Sequence, residues 1–208
     1  MLLLWAAPYF LWVGVPLQSN YFIEAPREPS FQFTPTSDAV YYEIQSQRLL
    51  AGEGFEAEVQ HPFYNYLLAG FHLLGGPGFE DIYRIQIAIL AFTPFVLYKI
   101  GRLFQGRMTG WLLAGFFVIR EYNALRLGSS ITVSNVQVLM TEPVTMLGVA
   151  LFLYLILNWL ANNSEEKSPA FLVGGLTGLI VLTRVELLSL VGVFALGSLY
   201  IYRKRVFV

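Results

Sequence analysis

The chain has 208 residues, 56% of them apolar and 13% charged, with 13 Lys and Arg against 14 Asp and Glu. So few scattered cations cannot assemble a face that neutralises several phosphates, which excludes nucleic acid as a partner, and the absence of cysteine removes disulfides and thiolate metal sites. Apolar runs approaching bilayer length in a charge-poor chain predict an all-α integral membrane protein, a single transmembrane domain over residues 1–208.

The first apolar span covers residues 2–17. It lacks a positive n-region and ends in Pro16, Leu17 and Gln18 rather than small residues, so it reads as a retained helix, not a cleaved signal. A long segment, residues 18–81, follows, and it is too apolar and too regular for a linker. Its stretch "SDAVYYEIQSQRLLAGEGF" predicts an interfacial helix over 37–51, with Val40, Ile44 and Ala51 on one stripe and Gly52 as the stop. A second interfacial helix is predicted over 61–75, opening at His61 with Pro62 in its first position and running through "FYNYLLAGFHLL" to the breaker "GGPG".

Five further spans are expected near 82–100, 108–127, 143–161, 170–183 and 187–202, giving six crossings or part-crossings in all. Lys99, Arg102 and Arg107 lie between the second and third, and Arg203, Lys204 and Arg205 follow the last, so those ends are expected to face the cytoplasm. Residues 18–81 then lie outside. There, nine acids (Glu24, Glu28, Asp38, Glu43, Glu53, Glu56, Glu58, Glu80 and Asp81) meet Arg27 and Arg48. The sequon Asn162, Asn163, Ser164 falls in an expected inner loop and reads as chance. The runs "GGLTG" and Gly106 to Gly115 read as close helix packing rather than a nucleotide site.

Charged residues inside or beside the spans are the candidates for function. Asp38 follows Thr34, Pro35, Thr36 and Ser37 at a helix start, where N–H groups and the dipole favour a carboxylate. It is either a helix cap or an ionised base able to take the proton of an acceptor hydroxyl. His61, before a Pro, is either a cap facing water or a donor to an anion. Glu142 precedes Pro143 at the start of the fourth span, complementing the dipole or orienting an acceptor or a cation.

The third span offers only "MTGWLLAGFFVI", about 18 Å of helix, before Arg120 and Glu121. A central charge costs about 2.5–3.5 kcal/mol on insertion scales, so Arg120, Glu121 and Arg126 are expected at the outer end or in a wet cavity, with Arg126 snorkelling. Arg184 and Glu186, two residues apart, do not face each other on a helix, so each is expected to need another partner at a tight outer turn.

In order, "SDAVYYEIQSQRLLAGEGF", "HPFYNYLLAGFHLLGG", "LMTEPVTMLGVALFLYLI" and "GGLTGLIVLTRVELLSL" carry a resemblance to the GT-C glycosyltransferases, in particular the protein O-mannosyltransferase and lipid A aminoarabinose transferase branch. The resemblance implies a first outer loop with a catalytic Asp before two juxtamembrane helices, the second opening at a His-Pro or Lys-Pro motif, and a polyprenyl-phosphate sugar donor. Carried onto this chain, it implies Asp38 as general base and His61, Arg184 and Arg120 near the donor phosphate. Glu142, Glu121 and Tyr42 would orient the acceptor, which is a protein, lipid or glycan on the outer face. No cofactor is fixed, though a divalent cation fits the scheme.

Three features depart from the family pattern: Asp38 is followed by Ala39 rather than Glu, Phe63 stands in place of a second Pro, and members are usually longer. The chain therefore reads as the N-terminal half of an enzyme, a minimal member, or a non-catalytic scaffold that docks to other membrane subunits.

Overall fold

A computed structural model describes residues 2–29, 31–55, 59–130, 132–162 and 168–206. The described chain is all-α apart from a two-residue ribbon, in which Ile23–Glu24 pairs antiparallel with Thr34–Pro35. Glu56 and Glu58 of the outer segment and Asn163 and Ser164 of the sequon lie outside the described residues.

Helix α1, Leu3–Val13, is shorter than the expected 2–17. Gly14 closes it, and Val15 and Trp12 turn inward against Tyr83, Ile87 and Leu90 instead of extending the rod. Eleven residues make about 16 Å, too little to cross a bilayer alone.

Helices α2, Asp38–Leu50, and α3, Pro62–Gly75, match the two expected interfacial helices to within a residue or so at each end. The buried face of α2 differs from expectation. Ala39, Tyr42, Gln45 and Ser46 point inward, whereas Ile44 of the apolar stripe is 50% exposed. Ala39 and Tyr42 pack in one cluster with Tyr64, Leu68 and Phe71 of α3, so a small and an aromatic side chain rather than the aliphatic stripe make the contact.

Helices α4, Phe79–Leu90, and α5, Thr93–Gln105, form one apolar stretch, Phe79–Gln105, with an elbow at Ala91 and Phe92. Pro94 lacks the N–H that would continue the ladder. Trp5 Nε1 of α1 donates to the Ala88 carbonyl at 2.8 Å, so the break leaves that oxygen satisfied. Gly106, at φ +92°, turns the chain into α6, Arg107–Leu127. Here α5 and α6 pack backbone to backbone: a Cβ on Gly110 would meet the Tyr98 carbonyl at 2.6 Å. Close packing is what the small-residue run predicts.

Helix α7, Thr141–Asn162, and α8, Ser168–Thr183, run as a pair in contact. After α8 the chain breaks at Arg184, makes one 3-10 turn over Val185–Leu188, and continues as α9, Ser189–Val206. Phe79–Gln105 and Thr141–Ala161 are long and apolar enough to cross a membrane; Leu3–Val13, Ala170–Thr183 and Val185–Tyr200 are apolar but shorter. Large apolar side chains such as Met108, Phe116, Phe171 and Leu196 are more than two-thirds exposed on α6, α8 and α9.

Between α6 and α7 the irregular segment 132–140 is buried over 135–140, so the backbone groups there need side-chain partners. Gln86 Nε2 of α4 donates to the carbonyls of Val136 and Val138 at 3.0 and 2.8 Å. Gln137 Nε2 donates to those of Trp12 and Val15 at 3.2 and 2.8 Å. These bonds tie α1, α4 and the start of α7 together beneath α2 and α3.

Candidate functional site

Asp38 is exposed and is the first helical residue of α2, with Ser37 rather than Asp38 at the N-cap position. Ser37 has φ +54° and makes no capping bond through its side chain. Asp38 itself makes no hydrogen bond or ion pair among the described residues. One turn on, Tyr42 is 4% exposed, with its ring edge to face against Tyr64 at 5.2 Å and against His61 at 5.6 Å between centroids. Burial first, and then the carboxylates of Asp38 and Glu142, push the Tyr42 phenol up to about 12, against the opposing pull of the Thr141 side chain and Arg184. Tyr42 is therefore a neutral O–H donor at any ordinary pH.

His61 takes the residue before α3 at φ +56°, in the left-handed region. Its ring does not cap α3. Nδ1 lies 2.6 Å from the Thr183 carbonyl at the end of α8, and since a carbonyl only accepts, Nδ1 carries a proton there. The approach to α3 is pinned as well: the Gln60 N–H donates to the Tyr41 hydroxyl at 3.1 Å, and Asn65 Nδ2 donates to the Gln60 carbonyl at 2.9 Å. Phe31, Ser37 and His61 are the non-glycine residues at positive φ among the described residues, and two of them flank this site. Strained backbone of this kind persists only where the surroundings over-determine it.

Arg184 stands at the break between α8 and the 3-10 turn, in extended backbone. Its Nη1 donates to Glu142 Oε1 at 2.8 Å and its Nε lies 3.6 Å from Glu186 Oε2. The helix ends at Arg184, so the two-residue spacing no longer keeps it apart from Glu186, contrary to expectation. The second oxygen of Glu142 and the Thr145 hydroxyl are buried without a hydrogen-bond partner. Glu186 is held below the usual carboxylate range, first by its own backbone N–H and then by Arg184 and His61.

Two clefts flank this junction. One, of about 450 Å³, is lined by Glu142, Thr145, Met146, Arg184 and Glu186. The other, of about 480 Å³, is lined by Gln60, His61, Val181, Leu182 and Glu186. Glu186 belongs to both. An apolar groove of about 190 Å³ runs from Thr145 and Thr183 between α3, α7 and α8.

Asp38, Tyr42, His61, Glu142 and Arg184 thus converge on one region. Arg120 and Glu121 do not. Glu121 is fully buried, pairs with Arg120, and accepts the Val136 N–H at 2.8 Å through Oε1. It holds the segment before α7 in place, and its charge is paired with the adjacent Arg120. Arg126 is exposed at the end of α6, as a snorkelling residue would be.

Two residues that no sequence motif marks matter here. His72, 6% exposed, places Nε2 2.9 Å from Glu43 Oε2 and Nδ1 3.0 Å from the Gly76 carbonyl, clamping α2 to α3. Burial opposes its charge, but the hydrogen bond and charge of Glu43 outweigh it, and the His72 pKa is raised. Gln86 accepts from the Tyr64 hydroxyl at 3.1 Å, which extends the buried network to the ring beneath Tyr42. A His one turn before the "GGPG" stop, opposite an acidic helix, was the available signal for the clamp.

Among the described residues no group of three or more His, Asp or Glu stands at metal-ligating geometry. No family model, no curated protein and no solved structure matches this chain.

Proposed function

We propose that the chain is a multi-pass membrane protein that transfers a sugar from a polyprenyl-phosphate donor to an acceptor hydroxyl on the extracytoplasmic face, with inversion at the anomeric carbon. The observation that supports it best is the exposed carboxylate of Asp38 one helical turn from buried Tyr42, whose ring meets His61, which in turn reaches the end of α8 beside Arg184. In the reaction, the acceptor oxygen bonds to the anomeric carbon as the bond from that carbon to the phosphate oxygen breaks. Asp38 takes the acceptor proton, and the polyprenyl phosphate leaves with the bonding pair. Arg184 and His61 offset the charge of that leaving group, and Tyr42 and Glu142 orient the acceptor. The apolar groove between α3, α7 and α8 suits a hydrocarbon chain entering from the bilayer.

The topology belongs to this proposal: residues 18–81 outside, 101–107 inside, and exposed faces of α6, α8 and α9 against lipid or other membrane subunits. A second reading, a non-catalytic scaffold, draws on the pairing of Arg184 with two carboxylates, which a purely structural latch would also show. Incubating the protein in lipid nanodiscs with radiolabelled polyprenyl-phosphate sugars separates the two. The enzyme releases unlabelled polyprenyl phosphate and labels an acceptor; a scaffold does neither.

A further inference from the structure

The cluster carries more negative charge than positive. Glu142 and Glu186 both face the guanidinium of Arg184, Asp38 lies one helical turn from Tyr42 nearby, and His61 is engaged through Nδ1 with the Thr183 carbonyl. A phosphate approaching Arg184 therefore meets two carboxylates already drawn to the guanidinium, and their like charge sets them in competition with it for that cation.

The two carboxylates are not held alike. Glu142 sits in the first turn of a 22-residue helix and binds at 2.8 Å with its side chain 40% exposed. Glu186 sits on a four-residue 3-10 turn, lies 3.6 Å from the guanidinium Nε, an ion-pair distance beyond hydrogen-bond range, and its side chain is 61% exposed. It lines both clefts, and on its other side it lies within electrostatic reach of His61. The Nε2 of that ring has no hydrogen-bond partner among the described residues.

We propose that Glu186 is an exchangeable occupant of the anion seat at Arg184: it neutralises the guanidinium until a phosphate-bearing ligand takes its place, and then turns to His61. The inference rests on the reading above that a phosphate binds at Arg184, and adds the residue that regulates its admission. Exchange costs the site little, because Glu186 leaves one cation for another hydrogen-bond donor while Glu142 keeps the guanidinium aimed. It also couples the clefts, since filling the one at Arg184 moves a carboxylate into the one at His61.

The test measures dissociation constants of the full chain in nanodiscs for farnesyl phosphate and, in a separate arm, for inorganic phosphate. Glu186→Gln, at an exposed position, removes the competing charge and is expected to tighten binding roughly fivefold, the upper range for exposed charge pairs. Glu142→Gln is expected to gain less, because it also loses the contact that orients Arg184. A gain with both ligands assigns the seat to the phosphate group itself, and a gain confined to farnesyl phosphate assigns it to a lipid headgroup. No gain with either ligand overturns the exchange, as does an equal gain in the two variants, which marks bulk charge rather than occupancy. Arg184→Gln separates the layers: if it binds as the parent does, the phosphate does not sit at Arg184, and the reading beneath fails with the inference.

Discussion

Tyr42 and His61 meet edge to face with 5.6 Å between ring centroids, although one is mid-helix in α2 and the other precedes α3. That contact joins the helix bearing Asp38 to the junction bearing Arg184, because His61 is in turn bound to the Thr183 carbonyl. Tyr42→Phe keeps the ring and deletes the hydroxyl. The expected cost is about 0.5–1.5 kcal/mol in detergent unfolding, the worth of one hydrogen bond. Sugar transfer should fall roughly tenfold if the hydroxyl contributes one oriented hydrogen bond to the transition state. An unchanged rate would remove Tyr42 from the site and leave it a packing residue.

The His72 and Glu43 pair predicts a pH dependence of stability. Both ring nitrogens face acceptors, so the folded state holds the imidazolium, and the His72 pKa is raised above its ordinary value of about 6.5. A raised pKa in the folded state means that this stabilisation is complete below about pH 6.5 and is lost as pH climbs through the raised value. Thermal unfolding scans should show a midpoint that declines over that alkaline side. Glu43→Gln should be less stable than the parent by about 1.5–3 kcal/mol at pH 6 and should lose most of the decline. A parent curve flat from pH 6 to 9 would contradict the clamp.

Gln86 holds three groups at once: the carbonyls of Val136 and Val138 and the Tyr64 hydroxyl. Gln86→Leu keeps the approximate volume and orphans all three. Each buried group left unpaired costs about 1–3 kcal/mol, so the variant should unfold well below the parent or fail to accumulate in the membrane. Gln86→Glu retains the acceptor for Tyr64 but cannot donate to the carbonyls while ionised, and is expected to be no better.

How much of this was legible in the chain differs from element to element. The bounds of α2 and α3 were readable because Gly52 and Pro62 act on the backbone locally, whatever surrounds them. The inward face of α2 was not, since it buries Gln45 and Ser46, polar residues that no apolar periodicity marks. The break at Arg184 was legible as a tight turn between two apolar spans, but the approach of Arg184 to Glu186 was hidden because the spacing rule that set them apart holds only inside a helix. Glu121 announced itself as a costly charge in an apolar span. Its partner, the Val136 N–H, lies in an irregular segment that has no pattern to read.

The absence of cysteine makes the proposed topology directly accessible. Gln60 and Gln105 are both exposed, one beside His61 and the other at the α5 to α6 turn. With Cys placed singly at each, an impermeant thiol reagent applied to intact cells should label position 60 and spare position 105 until the cells are opened. The reverse pattern would put the carboxylate cluster on the cytoplasmic side, away from any extracytoplasmic acceptor.

The most direct measurement is sugar transfer by Asp38→Asn. Asp38 is exposed, takes no hydrogen bond or ion pair among the described residues, and follows the cap position, so the substitution should cost no more than about 1 kcal/mol of helix-dipole interaction. An amide cannot accept the acceptor proton, and loss of a general base removes roughly 10² to 10⁴ in rate. A catalytic Asp38 predicts a variant that inserts and unfolds like the parent while transfer from a polyprenyl-phosphate sugar drops about a hundredfold or more. Transfer that persists within a few-fold of the parent would contradict that role and leave Asp38 as a helix-start residue.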